Sequence, residues 1–234
     1  MTGQNFLAER DDWADLLFGE ALLFNLLGKL IYSLPDGDWL QSLYTNEVFT
    51  DAPFAMDQPD VVEGLALLNR WGQSPVGIDE TMLQELNADS TQLFFGPGRV
   101  LAPLWESVYF TEERLVFRES TLDVRHWYQQ FKLEPENLHK DPDDHIALEM
   151  AFIAHLANLG VQALEMGDEK ECERLLQAQR EFINEHLLKW AAVWCQLVVD
   201  NAQTDFYRGI GLLTRGALAE LASLFCLELA ESIT

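Results

Sequence analysis

The sequence predicts an all-α fold, a single-domain helical bundle of about ten helices. Three observations carry that reading. Apolar residues recur three and four positions apart along most of the chain. Gly and Pro turn signals punctuate these runs. No alternating apolar–polar run of useful strand length occurs, and Val108-Tyr109-Phe110 and Val116-Phe117 are the only strand candidates.

The elements follow in order. Leu17, Ala21, Phe24, Leu27 and Ile31 trace one helical stripe, widened by Leu16, Leu23 and Leu30, so the first helix is expected to be well buried. Pro35-Asp36-Gly37 ends it with turn chemistry, and a short helix over 38–44 follows. The stretch from Tyr44 to Pro59 reads as irregular. Val61, Val62, Leu65, Leu67 and Leu68 mark the next helix, which Ser74-Pro75-Val76-Gly77 breaks. Met82, Leu83 and Leu86 continue after a cap at Asp79 and lead to Leu93-Phe94. Gly96-Pro97-Gly98 cannot extend a helix, and Pro103 prevents an early restart.

A helical run from Ser120 to Phe131 precedes a second polar loop over 132–142. Asp141-Pro142-Asp143-Asp144 reads as a helix start, with Asp141 as cap, Pro142 in the first turn and acids at the positive helix end. Ile146, Met150, Ile153, Ala157, Val161 and Leu164 carry that helix to Gly167. A helical region from Glu169 to about Ala202, broken once, precedes a last helix marked by Phe206, Ile210, Leu213, Ala217, Leu221 and Leu224. The two polar loops divide the helices into an N-terminal group, about 1–110, and a C-terminal group, about 111–234, within one domain.

Composition bounds the function. The 234 residues are 48% apolar and 23% charged, which is ordinary globular usage. Fifteen Lys and Arg stand against 39 Asp and Glu, a net charge of −24. A nucleic-acid binder needs a basic stripe that this chain lacks, and anionic membrane surfaces are disfavoured for the same reason. A basic partner is attracted, although an acidic surface also serves plain solubility. Cys172, Cys195 and Cys226 are widely spaced in helical stretches, with no CxxC pair. They read as reduced thiols of a cytosolic protein. The first ten residues lack the basic-then-apolar pattern of a secretory signal, and the apolar run Trp190–Val199 is too short to span a bilayer.

Two segments carry candidate chemistry. Asp141, Asp143, Asp144, His145 and Glu149 form the densest set of metal-ligand types, with His145 and Glu149 on one helix face. Capping plus an i,i+4 contact explains the same residues. Neither a phosphate loop nor a nucleophile elbow is present, and Gly209-x-Gly211 reads as close helix packing. The segment Leu93 to Tyr109 sets two aromatics before a constrained loop and Trp105, Ser107 and Tyr109 after it. Such loops lower the ordering cost of binding, and flanking aromatics make anchors. The same Phe and Trp would equally plug a core.

Three segments together resemble the TorD/DmsD family of redox-enzyme maturation chaperones. They are Leu93-Phe94-Phe95-Gly96-Pro97 through Pro103-Leu104-Trp105-Glu106-Ser107-Val108-Tyr109; Glu134-Pro135 with Asp143-Asp144-His145-Ile146 and Glu149; and Glu185-His186-Leu187 with Trp190, then Phe206-Tyr207-Arg208. Tyr32 followed by Pro35 is similar to the family's first-helix ending. In the family signature Glu-Pro directly precedes Asp-Asp-His; here Glu136 to Pro142 intervene, or Asp141-Pro142 takes that place.

The resemblance implies a cytoplasmic, all-helical chaperone without catalysis, cofactor or metal. It would bind the twin-arginine signal peptide of a molybdenum-cofactor oxidoreductase of the dimethyl sulfoxide reductase type and hold the apo catalytic subunit before export. The residues it assigns to peptide binding are Leu93, Phe94, Gly96, Pro97, Trp105, Ser107, Asp144, His145 and Tyr32. It leaves open a NarJ-like client of the nitrate reductase type, and both a monomer and a helix-swapped dimer. A carboxylate such as Asp144 suits bidentate contact with guanidinium, with His145 to orient it. A helical metal- or nucleotide-dependent enzyme using Asp144, His145 and Glu149 is the reading from another class.

Overall fold

A computed structural model describes residues 6–8, 12–34, 36–73, 77–96, 100–110, 119–133 and 142–229. Among these the chain forms nine α-helices and no strand beyond one isolated antiparallel bridge. The helices are α1 (Trp13–Tyr32), α2 (Gly37–Thr45), α3 (Pro59–Gly72), α4 (Glu80–Ser90), α5 (Glu119–Gln130), α6 (Ile146–Glu165), α7 (Glu169–Glu185), α8 (Ala191–Asn201) and α9 (Asp205–Leu224).

Local chemistry sets several of these limits. Asp36, Asp79 and Asp168 each accept a backbone N–H of the first turn they precede. Pro59 occupies the first turn of α3, where no N–H is required. The single break expected between Glu169 and Ala202 falls at His186–Trp190, where a short 3-10 turn separates α7 from α8. Ser74-Pro75-Val76, Pro35, Pro97, Gly98, Glu134-Pro135 and Val116-Phe117 lie outside the described residues.

Helices of the two sequence groups pack on one another. α1 lies against α6, α3 against α9, α6 against α7 and α8 against α9. One apolar cluster runs through them, with Trp190, Trp194, Phe152, Phe182 and Phe206 at its largest positions. The α3–α9 crossing is close because glycines meet there: a Cβ on Gly64 would stand 2.8 Å from the Gly209 carbonyl oxygen, and one on Gly209 2.8 Å from that of Gly64. This is the packing role expected of Gly209. α6 is long and apolar enough to cross a bilayer. It is mostly buried within the protein, and its apolarity is matched by α1 on one side and α7 on the other.

Three expectations are corrected. The helix expected to start at Asp141-Pro142 starts at Ile146, with His145 as N-cap: its Nδ1 accepts the Ala147 N–H at 3.1 Å. The backbone before it is drawn away into the bridge, so Asp143 and Asp144 sit in a turn outside the helix. Val108-Tyr109-Phe110 is no strand, since Glu106–Val108 closes a 3-10 turn. Cys226 is not helical; it follows the α9 C-cap with φ +52° and is exposed, whereas Cys172 and Cys195 are buried.

Candidate functional site

The C-terminal end of α4 widens into a π-helical turn over Thr91–Phe95. Such turns insert an extra residue and re-aim the side chains that follow. Here the result is a split pair: Leu93 and Phe94 point into the core, while Phe95 is 58% exposed. Phe94 stacks on Trp194 and meets Tyr207 edge to face at 5.5 Å, so it plugs the core between α8 and α9. The Leu93 carbonyl accepts the Ala102 N–H at 2.9 Å, tying both ends of the Gly/Pro loop together. Gly96 is half-buried at the start of that loop.

The two sequence motifs meet at the bridge. Glu106 N–H donates to the Asp144 carbonyl at 2.9 Å, and Ile146 N–H to the Leu104 carbonyl at 2.8 Å, which sets Trp105 opposite His145. The His145 ring lies between two aromatic edges, Trp105 at 5.8 Å and Tyr32 from the end of α1 at 5.5 Å. Tyr32, Trp105, Ser107, Asp144 and His145 therefore form one cluster. Leu93 joins it only through the loop, and Phe94 makes its ring contacts elsewhere.

Asp144 is fully buried. Its carboxylate accepts the Ser107 N–H at 2.8 Å and the Thr121 hydroxyl of α5 at 3.0 Å. In this conformation it is a structural acceptor, not a surface group open to a guanidinium. Asp143 pairs with Arg125 Nε at 2.6 Å, and its carbonyl accepts the Tyr128 hydroxyl at 3.0 Å. Behind the bridge, Glu106 pairs with His186 Nδ1 at 3.0 Å, both nearly buried. His186 is the residue that ends α7.

Glu149 stands apart from these pairs. It is fully buried on the first turn of α6, and neither carboxyl oxygen has a hydrogen-bond partner. Burial pushes its pKa well above the ordinary carboxylate value, and the charges of Glu106 and Asp144 push it further. The Trp190 indole N–H pulls the other way, being close without reaching hydrogen-bond geometry. Burial and the same acids also raise Tyr128. Among the described residues, no group of three or more His, Cys, Asp or Glu side chains is arranged to hold a metal ion. The His145–Glu149 pair considered for that role is divided between helix capping and a buried, unpaired acid.

Sequence reasoning missed Glu106, Thr121, Arg125, His186 and Trp190 as parts of this cluster. Glu106 lay between two chosen residues, and Glu185-His186 was visible as a motif. Their convergence depends on the α5 and α7–α8 packing, which no local pattern states. Two of the open clefts among the described residues differ in lining. One, about 280 Å³, is apolar and lined by Leu22, Leu26, Val48, Phe49, Leu65 and Leu213. The other is polar, with His126, Trp127, Glu185, His186 and Lys189 on its walls.

The family match spans both segments that meet at the bridge, 93–109 and 143–149. Residues 58–196 match the family described as nitrate reductase delta subunit. The chain is 32% identical to the Tat proofreading chaperone DmsD of Salmonella paratyphi A over 129 residues, 55% of this chain and 56% of that protein. It is 28% identical to the chaperone protein TorD of Aliivibrio salmonicida over 187 residues, 74% of this chain and 84% of that one. A probable Tat proofreading chaperone DmsD of Haemophilus influenzae is 28% identical over 137 residues, 58% and 60% of the two chains. The match thus spans little more than half the length of the DmsD relatives.

Proposed function

The chain belongs to the nitrate reductase delta subunit family, with TorD and DmsD chaperones among its relatives, and from that premise we propose that it is a cytoplasmic maturation chaperone without catalytic activity. It binds the twin-arginine signal peptide of a molybdenum-cofactor oxidoreductase of the dimethyl sulfoxide reductase type and holds the apo catalytic subunit until export.

The observation that supports this reading is the convergence of the two family motifs at the Trp105–His145 bridge, with Tyr32 also against the imidazole. Aromatic groups there surround a buried carboxylate set, beside a loop constrained by Gly and Pro. Trp105 and Tyr32 are half-buried and present apolar anchors, and Phe95 adds an exposed one. The net charge of −24 favours encounter with a peptide carrying two arginines.

Titration calorimetry of the intact chain with a synthetic Arg-Arg signal peptide tests it. Binding in the micromolar range or tighter, about −8 kcal/mol, is expected, with a Lys-Lys peptide weaker because ammonium groups lack the planar fork. A folded protein that binds no such peptide refutes the reading. The NarJ-like alternative, a nitrate reductase-type client with a vestigial signal, is favoured by the name of the matching family. It predicts binding to an N-terminal client segment that lacks the arginine pair.

A further inference from the structure

Four carboxyl groups lie around the bridge: Glu106, Asp143, Asp144 and Glu149. Two side chains that can carry positive charge pair with them, His186 with Glu106 and Arg125 with Asp143. Asp144 is satisfied by an amide and a hydroxyl. Glu149 has only the neighbouring Trp190 indole N–H, which favours its anion without reaching hydrogen-bond geometry, so both groups are left unsatisfied. Buried polar groups without partners are uncommon and mark strain or a missing ligand. Here an under-satisfied acceptor and donor adjoin in a cluster with more acids than cations among the described residues. Among the described residues, the segment Leu104–Ser107 is joined to 144–146 by two backbone hydrogen bonds and by the Ser107 N–H on the Asp144 carboxylate.

We infer that the Glu106–Asp144–Glu149 carboxyl cluster is the inner receptor for a guanidinium of the partner peptide, reached when the Trp105–His145 bridge opens. The inference rests on the peptide-binding reading above and specifies which groups take the arginine. Glu149 is the residue reserved for it. A guanidinium brings five N–H donors, enough to satisfy both Glu149 oxygens and a further acid.

A proton balance follows. With no cation present, the protonated form of Glu149 is favoured, because burial and the charges of Glu106 and Asp144 disfavour the anion. Entry of a guanidinium reverses that preference, and the carboxyl releases its proton to the buffer. The groups facing Glu149 are Glu106 with its partner His186, Asp144, Tyr128 from α5, and the Trp190 N–H. α1, packed on the other side of α6, contributes Tyr32 against His145, and its Lys29 is turned onto the Trp39 ring. No cation from these elements neutralises Glu149 in the free protein.

The test is calorimetry of the intact chain with the Arg-Arg peptide at pH 7 in two buffers of different ionisation enthalpy. The wild type is expected to release protons on binding the peptide. Glu149→Gln is expected to release fewer and to bind roughly 30-fold more weakly, as when one partner of a buried ion pair is truncated. Glu149→Gln keeps the shape of an acid that is already neutral, so it folds; circular dichroism checks this. Peptide binding without proton release, or equal affinity in the variant, overturns the inference and leaves peptide binding standing. Absence of binding to any Arg-Arg peptide overturns both.

Discussion

Asp144→Ala is expected to unfold the site rather than simply blunt a contact. The substitution strips the acceptor from the Ser107 N–H and the Thr121 hydroxyl, both in a buried environment. Each donor left unmatched costs roughly 1–3 kcal/mol. Part of that is returned, because a negative charge leaves the neighbourhood of Glu149, which Asp144 opposes. The net destabilisation is about 2–4 kcal/mol. For a chain of this size that lowers Tm by roughly 5–15 °C. Urea unfolding followed by tryptophan fluorescence reads it directly, the chain having seven Trp. Thr121→Val removes one of the two donors and should cost less than Asp144→Ala. If Asp144→Ala unfolds within about 0.5 kcal/mol of wild type, an ordinary surface value, the carboxylate is not the structural acceptor described. A loss of peptide affinity in Asp144→Ala must therefore be read beside its stability, and Glu149→Gln is the cleaner probe of binding.

Three further outcomes follow from the same geometry. Glu149 and Glu20 both have pKa values raised well above the ordinary 4.5 by burial. Their contribution to stability is full below that value and is lost as pH rises through the folded-state pKa. Stability measured by urea unfolding should therefore fall as pH rises above the ordinary carboxylate value of 4.5, and Glu149→Gln should flatten that slope; the surface pairs of Asp205 and Glu171 act in the opposite sense but are exposed and weak. Gly64→Ala puts a methyl 2.8 Å from the Gly209 carbonyl oxygen and 2.9 Å from Leu213 N, so forcing α3 from α9 should cost about 1–3 kcal/mol in a denaturant titration. Phe94→Ala should cost about 3–5 kcal/mol as a core truncation, whereas Phe95→Ala should leave stability within about 0.5 kcal/mol and lower peptide affinity in calorimetry.

The helices were legible because their signal is local. Leu17, Ala21, Phe24, Leu27 and Ile31 sit on one face and are buried or nearly so, and that face can be read from spacing alone. The start of α6 was misread for the same reason. Asp141-Pro142 satisfies every local rule for a helix start, yet the Asp144 and Ile146 backbone is claimed by Leu104 and Glu106, some forty positions earlier. No window of sequence contains that competition. The site was half legible: motif order pointed to Trp105, Ser107, Asp144 and His145, which do meet. Spacing could not say that Asp144 would be enclosed by Ser107 and Thr121, nor that Phe94 and Phe95 would part company across a π-helical turn. Those facts depend on which elements approach from elsewhere in the chain.

The cross-pairing of α1 with α6 and α3 with α9 also governs how this protein is born. When Phe110 has left the ribosome, the inner faces of α1 and α3 have been made but their partners have not. A chain paused there carries Leu17, Phe24, Leu27, Val61 and Leu68 without the α6 and α9 faces that complete their burial. Native packing waits for α6 and then for α9, since contacts between distant segments cannot form piecemeal. By the same logic, a cut between Phe110 and Glu119 in the finished molecule would yield two fragments that still hold one another through both helix pairs. A protein read as guarding an unfinished client is itself, through most of its translation, an unfinished one.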